Sequence, residues 1–130
     1  SPFTQSVQGF FALQEALREF DEGGGRVARQ DRYAAISARL RRDLPGLGAP
    51  LLLAEGDCAS MLSAFRLPLG VGYAALHDGL KQRGFTIYAG QGRLAPEIFR
   101  IATMGAITDA DVDRLLDACR MLLAPSEASA

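Results

Sequence analysis

The chain has 130 residues, 48% of them hydrophobic, which is enough for one domain with a core and too few for two. Charged residues make up 22% of the chain and the net charge is −1, so nucleic acid, acidic lipid and other polyanions are not expected partners. The two cysteines, Cys58 and Cys119, do not form a C-x-x-C zinc or redox motif. We therefore predict no metal site and a reducing, cytoplasmic location.

No apolar run is long enough to cross a membrane, and no charged-then-apolar leader opens the sequence. We therefore expect a soluble protein with no membrane partner. The first residue is Ser1, followed by Pro2, with no initiator Met. This start leads us to expect a piece cut from a longer protein.

Two helices are predicted in the first third of the chain. The first covers residues 4–22, and its apolar side chains occupy more than one stripe. Phe10 and Phe11 point about a third of the way round this helix from each other, so one core can hardly bury both. The glycines at 23–25 then end the helix and permit a bend, since a phosphate-binding glycine loop would want a strand before it. The second helix is predicted over residues 27–44, with four arginines largely outward: Arg29, Arg39, Arg41 and Arg42.

The remainder of the chain alternates short strands with helices. The predicted order is an apolar strand at 51–54, a strand at 61–67, a helix at 72–83, a strand at 85–88, a polar glycine-rich loop at 89–97, a strand at 98–103 and a final helix. Thr108 and Asp111 have the spacing of a capping box at the start of that last helix. The sequence therefore predicts an α+β fold in which a short, mostly antiparallel sheet packs under helices.

Four side chains with possible catalytic chemistry have ordinary structural explanations. Cys119 lies on the apolar stripe of the last helix and is interpreted as a small core residue. Cys58 lies in a turn and could pair with the single histidine, His77, but no third group to orient such a pair is apparent. Otherwise His77 is interpreted as a surface histidine at the edge of the apolar face of its helix. Lys81, the only lysine, lies on a helix flank with nothing near it in sequence to depress its pKa.

The loop at 89–97 and the strand after it hold the remaining candidates. Gly90, Gly92 and Arg93 could approach an anion through backbone N–H groups, although a flexible connection is the usual explanation of such a pattern. Arg100 alternates within the apolar strand at 98–103, where a charge needs a partner. Its guanidinium therefore either pairs with a carboxylate of its own chain or faces a site.

Three segments in this order carry a resemblance to a known family: SPFTQSV at the start, then GFTIYAG, and FRIATMG before the capped last helix. Together they resemble the C-terminal small domain of class V pyridoxal-phosphate aminotransferases of fold type I, in particular the 2-aminoethylphosphonate–pyruvate transaminases. The resemblance implies one C-terminal domain over residues 1–130. Within it we expect an interdomain helix at 1–22, an α+β body at 23–124 and a flexible tail at 125–130.

The resemblance implies amino transfer from a donor such as 2-aminoethylphosphonate to pyruvate. In this family pyridoxal phosphate is held on a lysine of a large domain that precedes this segment. The isolated chain is therefore expected to contain no catalytic residue, to bind no cofactor and to be inactive. The implied partners are the missing large domain, a small amino-acid or keto-acid substrate and a second subunit of a homodimer. One family residue carries over by position, because Arg100 matches the F-R-I arginine that binds the substrate carboxylate.

Two departures from the family pattern leave the substrate open. Family members commonly have Pro-Gly-Lys after the I-Y pair, where this chain has Ala89, Gly90 and Gln91, and a glycine after F-R-I, where it has Ala102. A class V enzyme for another small amino acid, of the alanine– or serine–glyoxylate type, is therefore an alternative. The other alternative is a stand-alone ligand-binding or interaction module that docks through the wide face of the first helix.

Overall fold

The computed structural model describes residues 5–124. The chain divides into two compact units, one ending at Arg32 and the other beginning at Tyr33. The first unit contains α1 (Val7–Glu22) and the beginning of α2 (Gly25–Asp43), so both predicted helices are confirmed. The interdomain helix at 1–22 and the body at 23–124 stay predictions. The predicted tail at 125–130 lies outside the described residues, as does the beginning of the first predicted helix.

Glycines form the turn between α1 and α2. The backbone N–H of Gly23 donates to the carbonyl of Glu19 at 3.0 Å, and that of Gly24 donates to the carbonyl of Asp21 at 3.0 Å. Gly24 and Gly25 have φ angles of 86° and 67°, in the left-handed region that glycine adopts without strain. The glycines therefore end α1 and bend the chain as predicted. The N–H groups of Gly23 and Gly24 are used at the helix end and are not free to bind a phosphate.

The second unit contains a three-stranded sheet and two further helices. Its elements after α2 are β1 (Leu62–Arg66), α3 (Tyr73–Lys81), β2 (Tyr88–Ala89), β3 (Ile98–Ala102) and α4 (Asp109–Leu123). The strand order is β1-β3-β2, and both pairs are antiparallel, which confirms the predicted fold class. None of the helices described within residues 5–124 is long and apolar enough to cross a membrane.

The core lies on one face of this sheet. Phe65 on β1 and Phe99 on β3 are opposite each other and fully buried, with ring centroids 5.5 Å apart. Burying a side chain of this size stabilises the fold by about 1.5 to 3 kcal/mol. The helices cover this face with buried side chains: Leu40, Leu76, Leu80, Val112, Leu116 and Cys119. The opposite face is partly covered, since Ile98 is buried there and Ala64 and Arg100 are half-buried.

The start of α4 is fixed by the predicted capping box. The Thr108 hydroxyl accepts a hydrogen bond from the backbone N–H of Asp111 at 3.2 Å, and the Asp111 carboxylate accepts one from the backbone N–H of Thr108 at 3.0 Å. The bonds from the hydroxyl and backbone of Thr108 stabilise the ionised carboxylate and hold the pKa of Asp111 below its ordinary value near 3.8. Two backbone donors that the helix cannot satisfy itself are thereby paired.

One predicted strand, at 51–54, is wrong, and another, at 85–88, is shifted. The run at 51–54 forms only an isolated bridge, between Leu51 and Phe65. The strand predicted at 85–88 pairs with β3 only at Tyr88 and Ala89. Phe85 cannot join the ladder because its N–H donates back to the carbonyl of Leu80 at the end of α3. The residues before Tyr88 are apolar because they pack into the unit, and they do so without strand pairing.

Arg41 also departs from prediction, since its side chain is only 10% exposed instead of outward. One Nη group lies 3.4 Å from both the carbonyl of Ala59 and the hydroxyl of Ser63. The Nε atom lies 3.6 Å from a carboxylate oxygen of Glu55. Arg41 therefore ties α2 to β1 and to the segment before it. Arg42, by contrast, is 69% exposed, as predicted.

Candidate functional site

The face of the sheet that points away from the core carries one arginine, Arg100, at its centre. Side chains alternate along β3, so Phe99 and Ile101 enter the core while Arg100 points to the other side. Arg100 is paired with Ala64 on β1 and with Tyr88 on β2. Ala64 is small, and Tyr88 lies on the short edge strand. The fold therefore places the Arg100 guanidinium in the middle of this face, with Arg66 at the end of β1 on the same side.

The guanidinium of Arg100 is held by the backbone. Its Nε donates to the carbonyl oxygen of Ala89 at 2.9 Å, and the side chain is half-buried. Within residues 5–124 neither of its Nη groups forms a hydrogen bond, and no carboxylate forms an ion pair with it. The described residues thus do not provide the internal carboxylate partner that was one of the two explanations of this arginine. The two Nη groups, which can bind a carboxylate through two parallel hydrogen bonds, are therefore available to a ligand.

The loop between β2 and β3 is packed against the strands. The N–H of Gly90 donates to the carbonyl of Ile98 at 3.1 Å. A Cβ at position 90 would lie 2.6 Å from the carbonyl carbon of Leu94 and 2.7 Å from Cγ1 of Ile98, so only glycine fits. Because the Gly90 N–H is used in this way, it is not open to an anion. Gly92 begins a short 3₁₀ turn and Arg93 is exposed on it.

The other candidate residues are not brought together into a catalytic group. Cys119 is fully buried, and burial raises the pKa of its thiol to about 12, so it is the core residue that was predicted. Cys58 is half-buried and its thiol donates to the carbonyl of Ala54 at 3.5 Å. The His77 ring lies 2.9 Å from the Asp78 carboxylate, and no hydrogen bond joins His77 to Cys58 among residues 5–124.

The described residues do not fit a metal ion or pyridoxal phosphate. No group of three or more His, Cys, Asp or Glu side chains within residues 5–124 is placed to hold a metal. Pyridoxal phosphate requires an amine inside a pocket that also binds its ring and its phosphate. Lys81 is exposed at the last residue of α3, so it does not offer such a pocket. No chemical step through that cofactor can be derived from these residues.

A cavity of about 290 Å³ lies on the core side of the sheet and is separate from Arg100. Its walls come from α2, the segment at 84–87, the end of β3 and the first turns of α4. Ile101, which alternates with Arg100 on β3, faces this cavity. The cavity and the arginine are therefore on opposite sides of the strand.

A second arginine, Arg66 on β1, lies on the same side of the sheet as Arg100, and the sequence alone did not indicate this. It is paired with Ile98, which shares the Arg100 side of β3, so both arginines project from the same face. Alternation within the strand at 61–67 already put Arg66 on the side of Leu62 and Ala64. The missing information was the register between β1 and β3, because only the register shows which residues are neighbours.

Comparison with known proteins finds curated relatives that align with most of this chain. No family model matches the chain. A 2-aminoethylphosphonate–pyruvate transaminase of Aeromonas hydrophila is 37% identical over 116 residues, which is 88% of this chain and 30% of the relative. The enzyme of the same name from Vibrio cholerae is 34% identical and aligns with 89% of this chain and 32% of its own length. The chain thus spans roughly a third of the length of its curated relatives.

Solved structures show the same fold. An alanine–glyoxylate aminotransferase from Nostoc sp. superposes with a TM-score of 0.82 at 25% identity, over 93% of this chain and 32% of the other. The chain resembles the C-terminal small domain of class V aminotransferases. A ureidoglycine–glyoxylate aminotransferase from Bacillus subtilis superposes with a TM-score of 0.81 at 26% identity, over 93% of this chain and 32% of the other. The predicted resemblance and the α+β small-domain fold are therefore confirmed.

Proposed function

We propose that this chain is the substrate-binding C-terminal domain of a pyridoxal-phosphate-dependent aminotransferase that moves an amino group from 2-aminoethylphosphonate to pyruvate. Its relatives carry the name of that reaction and are about three times as long as the chain. The cofactor, held by the rest of the enzyme, supplies the electron sink of amino transfer. The domain's own task is to bind and orient the substrate.

The observation that carries this proposal is the state of Arg100. Its Nε is anchored to the Ala89 carbonyl, which fixes the plane of the guanidinium, while the Nη groups have no partner among residues 5–124. A fixed planar fork binds a carboxylate through two parallel N–H···O bonds and so sets the orientation of a keto or amino acid. Arg100 is thus the residue that holds the substrate carboxylate.

Substitution of Arg100 in the intact enzyme tests this function. Arg100→Ala should weaken binding of pyruvate by about 1.5 to 3 kcal/mol, the worth of hydrogen bonds to a charged group. Arg100→Lys should recover only part of this, since an ammonium lacks the two-pronged geometry. Arg93→Ala, which removes an exposed arginine on the neighbouring loop, is the matched control. Unaltered kinetics toward pyruvate in Arg100→Ala would remove Arg100 from the site.

An alternative acceptor is glyoxylate. The two structural neighbours at TM-scores of 0.82 and 0.81 are named as glyoxylate aminotransferases, and Gln91 stands where the family commonly has lysine. Both acceptors bring one carboxylate to Arg100, so the arginine does not discriminate between them. Steady-state kinetics with pyruvate and glyoxylate, each against 2-aminoethylphosphonate, alanine and serine, separates the two reactions.

We further infer that α1 docks on the missing large domain. None of its side chains is buried, and Phe10 and Phe11 are 60% and 66% exposed. Two adjacent exposed rings favour association, so the 130-residue chain should self-associate, and F10A/F11A should reduce that association in sedimentation velocity. A wild-type chain that sediments like this double variant at all concentrations would contradict the inference.

In the intact enzyme we expect a cytoplasmic homodimer, in keeping with the free thiols of Cys58 and Cys119.

A further inference from the structure

A backbone carbonyl closes one side of the Arg100 guanidinium. An arginine can bind a carboxylate through either of two pairs of N–H groups, Nε with one Nη, or the two Nη groups together. The Nε of Arg100 donates to the carbonyl oxygen of Ala89 at 2.9 Å, so the first pair is not free. Within residues 5–124 neither Nη group forms a hydrogen bond or an ion pair. A carboxylate that binds Arg100 therefore approaches the two Nη groups end-on.

The orientation of the Ala89 carbonyl is set by the next residue. Ala89 ends β2 opposite Phe99, and the N–H of Gly90 donates to the carbonyl of Ile98 at 3.1 Å. The carbonyl of Ala89 and the N–H of Gly90 belong to one planar trans peptide group, so they point in opposite directions. The bond to Ile98 therefore fixes the direction of the carbonyl that holds Nε of Arg100.

Position 90 has no room for a side chain. A Cβ there would lie 2.6 Å from the carbonyl carbon of Leu94. That carbonyl is held in place, because it accepts a hydrogen bond from the N–H of Glu97 at 3.1 Å, and the Glu97 carbonyl accepts one from the N–H of Leu67 at 2.9 Å. A side chain at position 90 would therefore displace its own peptide group, which includes the carbonyl bonded to Nε.

We propose that Gly90 is a positioning residue for the substrate carboxylate: it lets the Ala89 carbonyl hold Nε of Arg100, so that the guanidinium offers only its Nη pair. This rests on the proposed function, in which Arg100 binds that carboxylate. A single available N–H pair gives the one carboxylate of pyruvate a single direction of approach, where two pairs would give it two. Gly90 acts through Ala89 and Arg100 and does not itself bind the substrate.

Side-chain NMR of the 130-residue chain tests this without a ligand. The Nε–H signal of Arg100 is assigned by its loss in Arg100→Lys. Its exchange rate with water is compared with that of Arg93, an exposed arginine whose side chain forms no hydrogen bond within residues 5–124. Exchange at Arg100 should be about fivefold slower, the effect of one hydrogen bond. Gly90→Ala should bring the two rates together, because it moves the Ala89 carbonyl.

Gly92→Ala is the matched control, since it strains the same loop at a site away from the Ala89 carbonyl. Gly92 has a φ of 55°, which alanine adopts only with strain, and the new methyl meets nothing within 4 Å. Exchange at Arg100 should stay slow in this variant. Three results would each overturn the proposal: equal rates at Arg100 and Arg93 in the unmodified chain, unchanged slow exchange in Gly90→Ala, and an equal loss in Gly92→Ala.

A scalar coupling across the hydrogen bond decides the matter if Gly90→Ala does not fold. The coupling joins ¹⁵Nε of Arg100 to the carbonyl ¹³C of Ala89, and it should be present in the unmodified chain and in Gly92→Ala. Its absence overturns the proposal. Added pyruvate should shift the Arg100 signals while the coupling persists, and loss of the coupling would show side-on binding and overturn the proposal. Arg100 signals that pyruvate does not shift would contradict the proposed function alone.

Discussion

Removing Arg100 should cost the fold little, because within residues 5–124 its side chain forms one hydrogen bond and no ion pair. Arg100→Ala deletes the Nε–H bond to the Ala89 carbonyl. A bond of this kind contributes about 0.5 to 1.5 kcal/mol net, and the carbonyl belongs to the edge strand, where water can replace the donor. A buried arginine paired with a carboxylate would behave differently, since breaking such a pair costs about 3 to 5 kcal/mol. We expect a loss near 1 kcal/mol.

Urea unfolding of the 130-residue chain, followed by circular dichroism, measures this loss. Arg93→Ala is the control, because an exposed arginine whose side chain forms no hydrogen bond within residues 5–124 should change the free energy of unfolding by less than about 0.5 kcal/mol. Arg100→Lys keeps the charge and loses the Nε contact, so it should fall close to Arg100→Ala. A loss of 3 kcal/mol or more in Arg100→Ala would show that the side chain is a structural ion-pair partner and would refute the reasoning.

Two further predictions concern the elements around the site. Gly90→Ala should cost about 2 to 3 kcal/mol, because the new methyl meets backbone it cannot displace, while Gly46→Ala, with open space at its Cβ, should be close to neutral in the same urea assay. Thr108→Ala should cost about 1 kcal/mol at neutral pH by removing the cap of α4. Because the pKa of Asp111 is lowered in the folded state, the box stabilises above the carboxyl's unfolded pKa near 4. The cost of Thr108→Ala should therefore shrink as pH falls below that value, and a cost that stays constant down to pH 2 would contradict this assignment.

Several helix ends were predictable because local signals define them. The spacing of Thr108 and Asp111 specifies the start of α4, and the glycines at 23–25 specify the end of α1. Each of these features depends on residues a few positions apart, which the sequence displays directly. The central strand was also predictable, because β3 alternates core residues with Arg100 in a short apolar run.

The shifted strand shows where local signals fail. The residues before Tyr88 have the apolar character of a strand, yet Ile87 is buried with its carbonyl bonded to the hydroxyl of Tyr73 at 3.0 Å. Burial in an extended segment leaves the same sequence pattern whether or not a neighbouring strand pairs with it. Pairing depends on the approach of β3, which is distant in sequence.

Arginine placement was the least predictable feature. Arg41 is nearly buried although its neighbour Arg42 is exposed, because the contacts of Arg41 come from Ala59, Ser63 and Glu55, which α2 meets only after folding. Neither a charge count nor a helical pattern predicts that Arg41 is nearly buried while Arg42 is exposed. The same limit applies to Arg66, whose position on the Arg100 side of the sheet depends on strand register.

The two faces of β3 link the stability of the fold to the geometry of the site. Phe99 enters the core and stacks on Phe65 of β1, which fixes the separation and alignment of these two strands. Arg100, the next residue, is therefore held by a strand instead of a loop, which suits its proposed role of orienting a substrate. A slip of β1 by one residue would send Phe65 to the exposed face and Arg66 into the core. The burial of the two phenylalanines thus opposes any such slip, and it is the core, acting through strand register, that keeps Arg66 and Arg100 on one surface.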